Sequence, residues 1–250
     1  PASGRNGHEE WIEKHIPGAR YFDFDTTICD TRNDLPHMLP NTETFSHECR
    51  SLGIDQDSVI VVYDALGIFS SPRVWWMLRV MGAGQVAILN GGLPAWLQAG
   101  YECVSEAMDA VITRGNFSAV LQSDQVCDYH EVLEAANNRT ATIVDVRPET
   151  RFNGKVDEPR PGLRRGHMPN AINQPFLDLV DNGFMKSREE IESLLSKQVS
   201  IEDRLLFSCG SGVTACIGVF AAHLCGYNNW AVYDGSWSEW GLPGDLPVVR

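Results

Sequence analysis

Leu205-Leu206-Phe207-Ser208-Cys209-Gly210-Ser211-Gly212-Val213-Thr214 opens as an apolar run and closes as a glycine-rich turn. Ala215 to Cys225 continues in small and apolar residues, and Gly226 is placed to stop a helix. A buried strand, a tight turn and a helix in this order form the working unit of a parallel α/β sheet. In such sheets ligands sit beyond the carboxyl ends of the strands, where loop N–H groups and the positive end of a helix dipole converge.

The same pattern occurs earlier in the chain. His15-Ile16-Pro17-Gly18-Ala19 is echoed 152 positions on by His167-Met168-Pro169-Asn170-Ala171. Asn90-Gly91-Gly92-Leu93-Pro94-Ala95-Trp96 is answered 144 positions on by Asp234-Gly235-Ser236-Trp237-Ser238-Glu239-Trp240. Between the landmarks, a strand over 59–63, a helix over 73–80 and a strand over 86–89 match 205–208, 213–225 and 230–233. A period this long means duplicated domains rather than a solenoid. The expected architecture is α/β, with two tandem domains that each carry a mostly parallel sheet flanked by helices. Residues 1–105 form the first, 106–128 a linker and 129–250 the second. Thr142-Ile143-Val144-Asp145-Val146 opens the second sheet. The first domain lacks a counterpart of that strand, which points to a chain that starts late.

Composition sets the class. The 250 residues are 43% hydrophobic, enough to bury a core, and 33 acidic against 20 basic residues leave a net charge of −13. A phosphate backbone would be repelled, so no nucleic-acid partner is expected. No apolar run approaches the roughly 20 residues of a membrane span. Pro1 to Glu10 has no apolar leader pattern, and seven scattered cysteines without a C-x-x-C pair suit a reducing compartment. A soluble, cytoplasmic protein with no membrane partner and no metal is the expectation.

Cys209 is the candidate nucleophile, because a strand-to-helix turn stabilises a thiolate, the reactive form of cysteine. Gly210 and Gly212 permit a tight cradle and Ser211 adds a hydroxyl within it. In the first half the equivalent position is Asp64, so the chain holds one such centre. A phosphatase loop would need arginine six residues after the cysteine, where this chain has Ala215.

The loop Cys-Gly-Ser-Gly-Val-Thr, the two His-x-Pro-x-Ala landmarks, the Gly-Ser-Trp-Ser-Glu-Trp segment and Leu35-Pro36-His37-Met38-Leu39-Pro40 together resemble the tandem rhodanese-domain sulfurtransferases, over about Gly4 to Pro247. Within that family the pattern is most similar to the members that use 3-mercaptopyruvate. Thiosulfate-using members carry two basic residues after the cysteine, where this chain has Gly210 and Ser211. The resemblance implies a Cys209 persulfide, pyruvate as product and no cofactor. It also implies an acceptor that is thioredoxin, another thiol or cyanide. It makes Cys209, Ser211, His37 and Asp25 the catalytic set. Arg151 and Arg160, with Gly210, Gly212, Val213 and Thr214, become the substrate-binding set. Thr26 to Leu35 carries one residue more than the family pattern, and His37 and Asp25 stand in the other half of the chain, so the site is expected between domains.

Of the remaining residues, Arg147 beside Asp145 is expected as a structural ion pair and Arg164 and Arg165 as a solvated loop. His15 and His167 are read as turn residues, and Trp237 and Trp240 as bordering the site. The alternatives are a thiosulfate sulfurtransferase and a non-catalytic sulfur-carrier or regulatory double domain.

Overall fold

The computed structural model describes residues 4–105 and 112–250; residues 106–111, the first part of the expected linker, lie outside the described residues. The elements are α1 (Gly7–Glu13), α2 (Thr42–Ser51), β1 (Val59–Val62), α3 (Ser71–Val80), β2 (Gln85–Ile88) and α4 (Gly92–Gln98). They continue with β3 (Val126–Cys127), α5 (Tyr129–Asn138), β4 (Thr142–Asp145), α6 (Glu149–Phe152), β5 (Ile172–Asn173), β6 (Val180–Asp181) and β7 (Phe184–Met185). The chain ends with α7 (Arg188–Leu195), β8 (Leu205–Ser208), α8 (Ala215–Leu224), β9 (Trp230–Tyr233) and α9 (Ser236–Trp240). It divides into two compact units. One consists of Pro1–Arg32, Leu39–Leu121 and Asn182–Phe184, the other of Asn33–Met38, Gln122–Asp181 and Met185–Arg250.

The second unit is built on a five-stranded sheet in the order β3-β9-β8-β4-β5, parallel throughout. Every residue of β8 and β9 is buried, as expected of central strands covered on both faces and written as unbroken apolar runs. α8 is apolar all round and buried from Ala215 to Ala222, so it supplies core rather than surface. The helices with a wet face carry proper starts. Asp128 caps α5, and Ser187 and Glu190 form a reciprocal capping box at α7. Trp237 and Trp240 pack with Met168, Leu206 and Tyr233 in one buried cluster.

In the first unit β1 and β2 pair in parallel, Val59 against Gln85 through Val62 against Ile88. α3 is buried over nearly its whole length and brings in Trp75, Trp76 and Met77. Among the described residues, β1 pairs with β2 alone. Val59 and Val61, on one face of β1, are 72% and 58% exposed, whereas every residue of the corresponding strand β8 is buried. Residues 112–121, at the end of this unit's segment Leu39–Leu121, have no regular structure. Phe117 is wholly buried beside Phe45, and its N–H donates to Ile54 O at 3.1 Å.

The sequence landmarks recur as geometry. His15 and Val104 form an antiparallel bridge, and so do His167 and Val249. The Nδ1 atoms of these histidines lie 2.7 Å from Trp11 O and 2.9 Å from Phe152 O, and each imidazole stacks on that same aromatic residue. Both histidines are therefore structural.

Candidate active site

Cys209 follows the last residue of β8 and is 1% exposed. Its backbone is pinned to α9. The Cys209 N–H donates to Ser236 Oγ at 3.1 Å, and Cys209 O accepts from Trp237 N at 3.0 Å. Gly210 O accepts twice from Ser238, from the backbone N–H at 2.8 Å and from the hydroxyl at 2.6 Å. Ser236 is fully buried and holds φ at 48°, a left-handed conformation that costs a non-glycine residue about 1–2 kcal/mol. Gly92, its counterpart in the first unit, adopts φ 53° without that cost. Serine at 236 therefore serves the hydrogen bond to Cys209, not the turn. Gly212 stands at φ 76°, where the loop bends back and a side chain would be strained. Ser211, Val213 and Thr214 are half-buried on the approach to α8, which begins two residues after the helix start expected from sequence.

The first unit shows what this loop geometry holds. Leu93 N donates to Asp64 O at 3.0 Å, the same bond that Trp237 N makes to Cys209 O, so Asp64 occupies the place of Cys209. Its Oδ2 accepts from the N–H groups of Phe69, Ser70 and Ser71, each at 2.9 Å, and from Ser71 Oγ at 2.8 Å. Oδ1 accepts from Leu66 N at 2.9 Å. A strand-to-helix loop of this fold thus gathers backbone N–H groups around a negative charge. In the first unit that charge is a carboxylate; at the second loop the side chain is a thiol.

The candidate arginines are held by a buried ionic chain. Arg147 donates to Asp145 and to Glu158 Oε1, the latter at 2.9 Å, and all three side chains are 1% exposed. The Arg147 guanidinium also lies over the Trp237 ring, 4.0 Å from its centroid. Glu158 in turn accepts from Arg151 through Nη2 and through Nε, the latter at 3.3 Å. Two cations and two anions make the group neutral, which is what allows charges to be buried. Arg151, the one member with appreciable exposure, packs against the nucleophile loop. A Cβ built on Gly210 would stand 3.0 Å from Arg151 Nη2. A side chain at 210 would therefore press on the end of Arg151, which would have to give way by a few tenths of an ångström. Arg160 reaches the same residue by another route, donating from Nη1 to Ser238 Oγ at 3.1 Å.

Other placements differ from expectation. Arg164 is not solvated, because its guanidinium donates to the carbonyls of Trp240, Gly244 and Leu246 and clamps the C-terminal segment. Arg165 is exposed, as expected, and paired with the exposed Asp157. Trp237 and Trp240 are fully buried rather than at a rim, their indole N–H groups satisfied by Arg164 O and Pro247 O. His37, at φ 64° in the segment Asn33–Met38, belongs to the unit that contains Cys209. Asp25 is exposed in the other unit, and its N–H donates to the neighbouring Asp23 carboxylate at 3.0 Å. Burial alone would raise the Asp23 carboxyl, but hydrogen bonds from Thr26, Thr27 and Asp25 N outweigh it and hold it below the ordinary range. Four of the remaining cysteines are held neutral by burial: it raises Cys29, Cys127 and Cys225 and pushes Cys49 up to about 12.

Sequence reasoning missed Glu158, Ser236 and Ser238. The internal repeat carried a signal for Ser236, since it aligns with a glycine. Glu158, between Asp157 and Pro159, carried none.

Comparison with known proteins agrees with this architecture. The Rhodanese-like domain family matches twice, over residues 5–99 and 128–242. The 3-mercaptopyruvate sulfurtransferase of Escherichia coli K12 is 44% identical over 245 residues, which is 98% of this chain and 86% of that protein. Mouse thiosulfate sulfurtransferase is 41% identical over 241 residues, 94% of this chain and 80% of that one. The crystal structure of SseA from Escherichia coli, a 3-mercaptopyruvate sulfotransferase with the rhodanese fold, superposes with a TM-score of 0.85 at 41% identity, covering 96% of this chain and 89% of that one.

Proposed function

Because the chain belongs to the rhodanese family, we propose that it transfers the sulfur of 3-mercaptopyruvate, through a persulfide on Cys209, to a thiol or cyanide acceptor. The single observation that carries this reading is the packing of Arg151 on Gly210. It sets a guanidinium beside the residue that follows the nucleophile, the geometry needed for a short keto acid whose carboxylate and sulfur lie three bonds apart.

In the first step Arg151 and Arg160 grip the carboxylate and keto oxygen, and the Cys209 thiolate attacks the substrate sulfur. The new S–S bond forms as the substrate C–S bond breaks, and the electron pair stays with carbon as the enolate of pyruvate. The two guanidiniums stabilise that developing charge. A proton delivered through Ser211 and His37 converts the enolate to pyruvate, with Asp25 the acid of the set by resemblance. The persulfide stays shielded from water at a position 1% exposed, in a loop of the kind that surrounds the Asp64 carboxylate with N–H groups. In the second step an acceptor thiolate takes the outer sulfur and leaves as a persulfide, or cyanide leaves as thiocyanate, and Cys209 is restored. The seven free cysteines support a reducing, cytoplasmic setting in which thiols such as thioredoxin are at hand.

The likeness to a thiosulfate sulfurtransferase supports a second donor. The neutral Gly210-Ser211 pair argues against it, because a dianion favours cations in the cradle. Steady-state turnover with each donor decides. Pyruvate release from 3-mercaptopyruvate should exceed thiosulfate turnover at least about tenfold in kcat/KM, about 1.4 kcal/mol of transition-state preference. A preference for thiosulfate would overturn the assignment, and turnover of neither donor would favour a carrier or regulatory role.

A further inference from the structure

We propose that Ser236 is a positioning residue for the nucleophile: its hydroxyl is a rung inserted between β8 and β9 that fixes the main chain of Cys209 and so sets the rate at which the sulfur attacks. The inference rests on the reading of Cys209 as nucleophile given above and adds a residue that does not itself touch the donor. β8 and β9 run parallel in register, Leu205 against Trp230 through Phe207 against Val232. Leu205 N donates to Asn229 O, 24 positions on, at 2.9 Å. Bonds in a parallel ladder recur at every second residue, so the Cys209 N–H comes opposite Tyr233 O, again 24 positions on. That rung is routed through Ser236. A serine hydroxyl has one proton to give, and here it goes to Tyr233 O at 2.8 Å. The same oxygen accepts the Cys209 N–H at 3.1 Å, so the direction of the chain is fixed, from Cys209 to Ser236 to Tyr233.

The first unit shows the equivalent place without a hydroxyl. Gly92 stands where Ser236 stands, and a Cβ there would collide with Asp64 O and lie 2.8 Å from Gly67 O, so that loop rests directly on the glycine. In the second unit the Ser236 side chain takes up the equivalent space, at a φ of 48°. That conformation is strained for any residue but glycine, and such strain is concentrated at functional positions, where the surrounding structure holds it. Without the hydroxyl the Cys209 N–H either loses this partner or closes directly on Tyr233 O. Both shift the sulfur against a donor gripped by Arg151, which is anchored separately through Glu158. A displacement of about 1 Å at a reacting atom costs on the order of a hundredfold in rate. The loss therefore falls on the bond-making step and not on donor binding.

The experiment uses the full chain as wild type, Ser236→Ala and Ser236→Gly. Alanine keeps the side-chain carbon that spaces β8 from β9, and glycine relieves the backbone, so a variant free of strain is present if alanine folds poorly. Pyruvate release from 3-mercaptopyruvate is measured per folded chain, and hydrogen exchange of the Cys209 amide is read against that of Leu205 by residue-resolved mass spectrometry. Both variants should lower kcat at least about tenfold with KM within about twofold. Ser236→Ala should speed exchange at Cys209 at least about tenfold relative to Leu205, whose acceptor Asn229 O is untouched. A kcat within about twofold of wild type in either variant would overturn the proposal, since the serine would then be structural only. A raised KM at constant kcat would also overturn it, by placing the effect on donor binding, and so would unchanged relative exchange at Cys209 in Ser236→Ala. If wild type releases no pyruvate, the donor reading fails on its own, and the exchange ratio still decides whether Ser236 holds Cys209.

Discussion

Glu158→Gln removes one charge from the ionic chain and leaves the shape of the side chain almost unchanged. In the native protein the Glu158 carboxylate serves two guanidiniums, accepting from Arg147 Nη1 at 2.9 Å and from Arg151 through Nε and Nη2. The amide that replaces it keeps one acceptor oxygen and turns its N–H₂ toward an arginine, so at least one charge-assisted bond becomes a donor-against-donor contact. Asp145 remains for Arg147, but Arg151 loses its carboxylate. Breaking a fully buried pair costs about 3–5 kcal/mol, and a hydrogen bond to a charged group contributes about 1.5–3 kcal/mol. Arg151 is 21% exposed and recovers part of this from water, so the expected loss is about 2–4 kcal/mol. The same change frees Arg151 from its place above Gly210, and a displacement of about 1 Å at a reacting group costs on the order of a hundredfold in rate. Urea unfolding gives the first quantity and steady-state pyruvate release the second. A variant within about 0.5 kcal/mol of wild type whose kcat/KM for 3-mercaptopyruvate is unchanged would refute the claim that Glu158 builds the site.

Two further outcomes follow from groups in the first unit. Asp64→Asn removes the charge that three backbone N–H groups and a hydroxyl surround at Oδ2. It should lower stability by about 1–3 kcal/mol in urea unfolding, and an unshifted midpoint would mean the loop has no preference for an anion. Asp23 has a native pKa below the unfolded value of 3.8, so its stabilisation is complete above that value and is lost as pH falls through the native pKa. Asp23→Asn should therefore flatten the dependence of stability on pH below about pH 4 and leave the slope between about pH 6 and 8 unaltered. A steeper acid limb in the variant would contradict the hydrogen-bond assignment.

Much of the fold was legible because its central strands and helices are written as local patterns. β8, β9 and β1 are apolar runs bounded by turn residues, and α8 ends at Leu224, with Gly226 at φ 86° just beyond it, where a helix stop was expected. The placement of Cys209 at a strand-to-helix turn followed from the same pattern. β3 and β5 are two residues long, too short to show any period, and are held in place by their neighbours. The division of the chain also interleaves, since Asn33–Met38 groups with the second unit and Asn182–Phe184 with the first; nothing local in those segments encodes this. The arginines were read by type and position, which succeeded for Arg147 and failed for Arg164. What distinguishes them is their acceptors: a carboxylate two residues away for Arg147, and three carbonyls about 76 to 82 positions distant for Arg164. Ser236 and Ser238 look like ordinary helix-start serines until the loop they hold is folded against them.

Intact-mass analysis of the protein mixed with 3-mercaptopyruvate in the absence of any acceptor bears most directly on the chemistry. One sulfur atom, about 32 Da, should be added per chain. The modification should map to Cys209, disappear when a thiol or cyanide is supplied, and be absent from Cys209→Ser. An unmodified wild type, or an adduct that persists in Cys209→Ser, would contradict transfer through this residue.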